Sequence, residues 1–292
     1  MKFTRGHRSE NFEDRRGQGA SGGGGGGGLR LAGGSGAVVV VIALVAKLLF
    51  GVNIPIPGLS GGGSTGTTQQ QSPLPPGQDP DDEVVSRINF AFDDLQATWT
   101  QIFAARGLSY KPARLVAFTE ATDTACGLGQ SAMGPFYCPG DTSVFIDLSF
   151  FHELDRRFGA PGDFAQAYVV AHEIGHHVQK LMGTEEKVRG LQRSDRDREN
   201  ELSVRMELQA DCYAGIWAAA TKKTGIIEAG DLEEGLQAAT AIGDDTLQKR
   251  AGGRVVPESF THGSSAQRVR WFKRGYDRGD VDACDTFRSD QL

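Results

Sequence analysis

The chain has 292 residues, of which 39% are hydrophobic and 23% are charged, and this is the composition of an ordinary globular protein. Its formal net charge is -6, which argues against a nucleic-acid partner because a phosphate-binding face needs concentrated Lys and Arg. Glycine is in excess with 40 residues, but 19 of them fall in residues 1–66, so we expect the folded domain to follow that region.

The N-terminal region divides into three segments. Residues 1–36 carry six Lys and Arg against three acidic residues and include the run Gly22–Gly28, so we expect them to be disordered. Residues 37–56 are almost entirely apolar and long enough to cross a bilayer, with Lys47 as their one charge. Residues 57–80 are rich in Gly, Ser, Thr, Gln and Pro, which is typical of a flexible linker.

The apolar segment favours a retained transmembrane anchor as the membrane partner. A cleaved signal peptide and a buried or interfacial segment remain alternatives. Because the positive charges precede the segment, an anchor predicts a cytoplasmic N-terminus and an exported domain, periplasmic or extracellular.

Residues 81–292 are long enough for one well-buried domain. From Asp82 to Trp99, apolar residues recur every three or four positions and predict an amphipathic helix. Residues 113–119 and 143–150 read as strands, and the second precedes the most informative helix. It is either an edge strand that pairs with an extended peptide or an interior strand with no substrate role.

Pro161-Gly162-Asp163 predicts a stop followed by an N-cap, and the helix after it, which ends at Gly183, contains His172-Glu173-x-x-His176. Residues four apart project from one face of a helix, so the two histidines form a metal chelate. The neighbouring Glu173 can reach a water on the same metal, which is the arrangement of a zinc hydrolase with Glu as general base. Gly175 is unfavourable inside a helix, and we expect another backbone to approach closely there.

A later helix carries Glu207 and Asp211, again four residues apart. A catalytic zinc held by two histidines needs a third ligand, and a metal-bound histidine needs a partner for its other ring nitrogen. Glu207 is predicted to be the ligand and Asp211 the partner that orients a histidine. His177 projects about 100° away from His176 and is interpreted as a structural histidine.

These motifs resemble those of gluzincin metallopeptidases, in which the Glu of the later helix is the third zinc ligand. More closely, residues 80–292 are similar to the neutral zinc metallopeptidase family of bacterial envelope proteins. The resemblance rests on Ala-His-Glu-Ile-Gly-His-His-Val-Gln, Glu-Leu-Gln-Ala-Asp-Cys-Tyr-Ala-Gly, Gly243-Asp-Asp and the stretch from Ser259 to Trp271. It implies a zincin-like fold, zinc and a peptide or protein substrate.

The stretch from Ser259 to Trp271 contributes His262 and Arg268. Resemblance to membrane-associated gluzincins with Thr-His-Pro and a later Arg implies that His262 donates to the oxyanion of the scissile carbonyl, although Gly263 replaces the proline here. Helix capping at Ser264 or Ser265 is the alternative use of this stretch.

The preceding Gly-Asp-Asp motif has two interpretations. Asp244 and Asp245 are either helix caps or ligands of a cation.

The four cysteines form no Cys-x-x-Cys pair, which argues against a zinc ribbon; they are Cys126, Cys138, Cys212 and Cys284. In an exported domain they predict two disulfides with three possible connectivities. Proximity favours Cys126 with Cys138 and leaves Cys212 with Cys284; free buried thiols are the alternative.

The sequence therefore predicts an α+β zincin-like metallopeptidase domain, mainly helical, with a small sheet beside the active-site helix and one transmembrane helix in front. Zn²⁺ is held by His172, His176 and Glu207, and Glu173 activates a water for peptide hydrolysis. The alternatives are a non-catalytic zinc-binding envelope protein and a zinc amidase acting on cell-wall peptides.

Overall fold

The computed structural model describes residues 1–18 and 79–292. The strands in these ranges are β1 (Phe12–Asp14), β2 (Arg114–Phe118), β3 (Ala121–Thr124), β4 (Gly127–Gln130), β5 (Phe136–Cys138) and β6 (Ser143–Asp147). The helices are α1 (Asp82–Ala105), α2 (Ser149–Arg156), α3 (Asp163–Leu181), α4 (Thr184–Ser194), α5 (Glu199–Lys223), α6 (Asp231–Ala241), α7 (Asp244–Arg250) and α8 (Ser265–Arg278). The described part is thus α+β and mainly helical, as expected.

The main sheet has the strand order β1-β2-β6-β5, and a separate antiparallel hairpin is formed by β3 and β4. The pairs β1–β2 and β2–β6 are parallel, whereas β5 runs antiparallel to β6. Strand β6 is buried along its whole length and lies between two neighbours, so it has no free edge for a peptide. Among the described strands of this sheet, the edges are β1 and β5.

Strand β2 confirms the prediction over residues 113–119, but the strand predicted over 143–150 ends early. The carboxylate of Asp147 accepts hydrogen bonds from the backbone N–H of Ser149 at 2.9 Å and of Glu120 at 2.9 Å. These bonds turn the chain into α2, so residues 149 and 150 are helical despite their aromatic and apolar content.

Close helix contacts are made at glycines. A Cβ atom on Gly175 of α3 would lie 2.8 Å from the Cα atom of Ala210 on α5, which confirms the predicted backbone approach. Between α5 and α8, a Cβ atom on Gly275 would lie 1.9 Å from the carbonyl oxygen of Cys212. These contacts pack the helices that carry the candidate site residues against one another, with stacked Phe164 and Trp217 among their core residues.

The expectation of disorder for residues 1–36 is wrong for residues 1–18, which pack against the domain. Strand β1 joins the sheet, and the backbone N–H of Ser9 donates to the side chain of Asn89 at 3.0 Å. The amino group of Met1 contacts Asp163 at 2.5 Å and Asp231 at 3.1 Å. The polar composition of residues 1–18 does not predict this order, because the order comes from pairing with distant parts of the chain.

The predicted transmembrane helix needs correction. Within residues 1–18 and 79–292, no helix is long and apolar enough to cross a membrane, and the predicted span 37–56 lies outside the described residues. Strand β1 shares a sheet with β2, and Arg16 forms an ion pair with Asp79 at 2.6 Å. Residues 1–18 therefore pack against the domain, which does not fit a span that separates a cytoplasmic N-terminus from an exported domain. The extracytoplasmic location of the domain stays a prediction.

Residues 19–36 and most of the predicted linker, up to residue 78, also lie outside the described ranges.

Both predicted disulfides are present. The bond between Cys126 and Cys138 joins the turn of the β3–β4 hairpin to β5, with 5.9 Å between the Cα atoms. The bond between Cys212 and Cys284 joins α5 to the C-terminal tail, with 5.6 Å between the Cα atoms. The second bond fixes the tail beside the helix that carries Glu207.

Candidate metal centre

Helix α3 supplies His172, Glu173 and His176 from its middle turns. The helix begins after Gly162, which has a φ of 121°, and ends before Gly183, which has a φ of 73°. Its apolar residues are buried on almost every side, so the polar motif lies inside the domain. Such a position requires partners for both histidines.

Helix α5 brings Glu207 to these histidines. The Glu207 carboxylate lies 3.0 Å from Nε2 of His172 and 3.5 Å from Nε2 of His176. One ligand atom from each of the three residues lies within 4.8 Å of the other two. The structure thus brings together the three residues that the sequence predicts as metal ligands.

This donor set fits zinc. Two imidazole nitrogens and a carboxylate oxygen form a common three-ligand set of catalytic zinc sites. Tetrahedral zinc with bonds of about 2.05 Å separates its ligand atoms by roughly 3.3 Å. The observed contacts of 3.0 and 3.5 Å between the Glu207 oxygens and the two Nε2 atoms lie on either side of that separation.

The second ring nitrogen of His172 contacts Asp211, as predicted for the orienting carboxylate. Nδ1 of His172 lies 2.8 Å from Oδ1 of Asp211, which is fully buried. Arg268 of α8 binds both oxygens of this carboxylate, through Nε at 2.8 Å and Nη2 at 2.9 Å. The hydroxyl of Tyr168 donates to Oδ1 at 2.5 Å.

Tyr168 was not identified as a site residue from the sequence, although it precedes His172 by four residues and therefore lies on the same helix face. The spacing was a usable signal. Arg268 was noted only through the resemblance, and its contact with Asp211 depends on the packing of α8 against α5.

The electrostatics of the site follow from burial and charge pairing. Burial alone would raise the pKa of Asp211, but Arg268 and His172 hold that pKa at about 2. Burial would lower the pKa of His176, but the Glu207 carboxylate raises it to about 9. The carboxylates therefore stay ionised and attract a cation.

Glu173 differs from the other acidic residues of the site. Its side chain is buried, and burial raises the pKa of its carboxyl group. Within the described ranges, its carboxyl group makes no hydrogen bond or ion pair with another residue, whereas Glu207 and Asp211 are both engaged. A carboxyl group without a fixed protein partner is available to exchange a proton with water.

His262 lies on the loop that leads into α8, and Asp244 anchors that loop. Oδ2 of Asp244 accepts hydrogen bonds from the backbone N–H groups of Thr261, His262 and Gly263 at 2.7, 2.7 and 3.1 Å. The imidazole is about half exposed, with Nδ1 3.4 Å from Oδ1 of Asp244. The charge of His262 also helps lower the pKa of Glu207, because the two side chains are near each other.

The stretch from Ser259 to Trp271 provides both the cap of α8 and His262. Ser264 is the N-cap of α8 and forms a capping box with Gln267. Asp245 accepts a hydrogen bond from the backbone N–H of Ser265 at 2.7 Å. Capping is thus done by Ser264 and leaves His262 outside the helix, while Asp244 and Asp245 serve as loop anchors.

His177 is held away from the three predicted ligands. Its Nε2 donates to the carbonyl oxygen of Lys111 at 2.7 Å, and its Nδ1 lies 2.9 Å from the hydroxyl of Tyr137. Burial lowers the pKa of this imidazole to about 4. His177 is therefore a neutral structural histidine, as interpreted from its position on the helix.

Comparison with known proteins gives a family match over nearly the whole chain. The model of the family described as "Putative neutral zinc metallopeptidase" matches residues 1–287. The uncharacterized protein YpfJ of Escherichia coli (strain K12) is 48% identical over 288 residues, which cover 98% of this chain and 99% of the relative. The uncharacterized protein Rv2575 of Mycobacterium tuberculosis (strain ATCC 25618 / H37Rv) is 40% identical over 227 residues, 74% of this chain and 75% of the relative. No solved structure matches the chain.

Proposed function

Because this chain belongs to the neutral zinc metallopeptidase family, we propose that it is a zinc-dependent endopeptidase that hydrolyses peptide bonds in the cell envelope. The observation that carries the proposal is the convergence of His172, His176 and Glu207, whose ligand atoms lie within 4.8 Å of one another. His172, His176 and Glu207 would hold three positions of a zinc ion, and the fourth would remain for water or substrate.

Zinc supplies a Lewis acid that polarises a peptide carbonyl and lowers the pKa of bound water to about 7. Glu173 takes the proton from the attacking water, because its carboxyl group follows His172 directly and is bound to no other residue of the described ranges. The same carboxyl group then protonates the leaving amine. The raised pKa of Glu173 suits both transfers, because this carboxylate accepts and holds a proton more readily than an exposed carboxylate does.

His262 is proposed to donate a hydrogen bond to the oxyanion of the scissile carbonyl. Support comes from the anchoring of its backbone by Asp244, which fixes the loop near Glu207. A preorganised oxyanion donor contributes about 3 kcal/mol of transition-state stabilisation. We therefore expect His262→Ala to slow hydrolysis by roughly a hundredfold while zinc remains bound.

The envelope assignment is supported by the two disulfides. Disulfides persist in oxidising compartments and are rare in the reducing cytosol. The substrate is therefore proposed to be a peptide or protein on the extracytoplasmic side.

Replacement of Glu173 by Gln tests the mechanism. The variant keeps the size of the side chain and the three ligands but removes the proton acceptor, so zinc content should equal that of the wild type and hydrolysis should be abolished. Glu186→Gln is the matched control, because Glu186 is exposed on α4. Zinc content is measured by metal analysis. Hydrolysis is measured as the cleavage of an unfolded protein such as reduced casein.

The released peptides of cell envelopes containing wild type or Glu173→Gln identify the substrate class. Protein fragments that require Glu173 support the endopeptidase, whereas cell-wall peptides that require it indicate an amidase. Full activity of Glu173→Gln would refute the mechanism. Identical envelope peptides in all strains, together with zinc binding, would favour the non-catalytic protein.

A further inference from the structure

Two buried glutamines connect the second metal histidine to the C-terminal tail. Gln179 and Gln209 are 0% and 6% exposed, and both belong to motifs whose glutamines have no role in the proposed mechanism. Oε1 of Gln179 lies 2.9 Å from Nδ1 of His176. Nε2 of Gln209 donates to the backbone carbonyl of Cys284 at 3.0 Å.

Backbone carbonyls, which can only accept, determine the direction of each hydrogen bond between His176, the two glutamines and Cys284. The Cys284 carbonyl requires the NH₂ group of Gln209, so Oε1 of Gln209 faces Gln179. The NH₂ group of Gln179 donates to that oxygen at 3.1 Å and to the carbonyl of Met206 at 2.7 Å. The oxygen of Gln179 therefore faces His176.

This orientation selects the histidine tautomer that a metal needs. An amide oxygen cannot donate, so Nδ1 of His176 must carry a proton, and Nε2 is the nitrogen that remains to bind a metal once its own proton is released. Nε2 is the atom that faces Glu207, at 3.5 Å. His172 is oriented by a carboxylate instead, so the two metal histidines are held by partners of different charge.

The tail that carries Cys284 is itself held at two places. The disulfide joins Cys284 to Cys212 on α5. Beyond it, Arg205 donates to the carbonyls of Thr286 and of Ser289, and the Thr286 hydroxyl donates to the carbonyl of Arg205 at 2.7 Å. Loss of the disulfide removes the covalent bond at the residue whose carbonyl starts the glutamine chain, while the hydrogen bonds between Arg205 and the tail remain.

We propose that Gln179 and Gln209 form an amide relay that positions His176 for zinc and makes zinc retention depend on the disulfide-bonded C-terminal tail. The inference rests on the proposed metal site and deepens it. Gln179 and Gln209 are positioning residues, since they act through His176. Orienting partners of metal ligands typically contribute 10–100-fold to metal affinity.

Zinc affinity, measured by competition with a chromophoric chelator, tests the relay without any peptidase assay. Gln179→Met removes the acceptor and should weaken zinc binding 10–100-fold. Gln179→Glu keeps an acceptor for His176 but loses the NH₂ group that donates to Met206 and Gln209, so its zinc affinity should lie between that of Gln179→Met and that of the wild type. A purely structural role predicts the opposite order, because a buried charge is less well tolerated than an apolar side chain of similar size.

The connection to the tail is tested with cysteine pairs. Gln209→Met should weaken zinc binding about tenfold or more, and Cys212→Ser with Cys284→Ser should weaken it measurably but by less, because Arg205 still holds the tail. Cys126→Ser with Cys138→Ser removes the other disulfide and should leave zinc affinity unchanged. Circular dichroism of each variant establishes that it is folded.

The outcomes separate this inference from the proposed function. Wild-type zinc affinity in Gln179→Met, or in both Gln209→Met and the Cys212 and Cys284 pair, would overturn the relay and leave the peptidase proposal standing. Failure of the wild type to bind zinc would overturn both. A loss in Gln179→Met that Gln179→Glu partly restores, together with a loss in the tail variants, is the expected result.

Discussion

Replacement of Asp211 by Asn probes the buried charge network under the metal centre. The carboxylate accepts four hydrogen bonds, from Tyr168, from His172 and two from Arg268. Asparagine has the same shape but no charge, and its NH₂ group must face at least one of these donors. Arg268, which is 2% exposed, then has no bound counter-charge.

The expected loss of unfolding free energy follows from this burial. Breaking a buried ion pair by removing one partner costs about 3–5 kcal/mol. Because Glu207 also attracts Arg268, we expect a value near the lower limit, about 3 kcal/mol. Zinc affinity should fall 10–100-fold as well, since His172 loses the carboxylate that orients it.

Urea unfolding of the metal-free protein measures the first quantity, and chelator competition measures the second. Asp277→Asn is the matched control on the exposed side of α8 and should stay within about 0.5 kcal/mol of the wild type. Arg268→Met and the double variant complete a cycle, in which the double variant should be less destabilised than the sum of the single variants. A loss below about 1 kcal/mol for Asp211→Asn, or strict additivity in the cycle, would refute the reasoning.

Two further predictions concern α3. Gly175→Ala should destabilise the domain by about 1–3 kcal/mol despite the higher helix propensity of Ala, because the new Cβ atom would meet α5 at Ala210. Gly190→Ala, where a Cβ atom meets nothing within 4 Å, should instead be neutral or stabilising. Urea unfolding of both variants measures the two changes in stability. For His177, the unfolded imidazole binds a proton below about pH 6.5 but the folded one only near pH 4, so stability is lost as the pH falls through this window, by up to about 3 kcal/mol. His177→Gln should lack this loss; equal pH dependence of wild type and variant, measured with EDTA present, would contradict it.

The amino-acid sequence alone determined the local features of the candidate site. Helical periodicity placed His172 and His176 on one face, and the same spacing identified Glu207 and Asp211 as a second pair. The strand β2, the long helices and both disulfide pairs were also predicted, because their signals lie in short stretches or in the small number of cysteines. The roles of these site residues in metal binding and catalysis stay predictions.

Only the tertiary structure decided the features that depend on long-range contacts. The ordered strand β1 lies in a polar, glycine-containing segment with no local strand signal, and its pairing partner is a hundred positions away. The glutamine chain from His176 to Cys284 joins three parts of the chain that no local pattern relates. Local spacing indicates which side chains share a face, whereas the partner of a buried polar group is selected by packing between distant elements. The metal-binding motif could therefore be predicted from the sequence. The groups that orient the motif, and the packing of residues 1–18 on the domain, could be identified only from the fold.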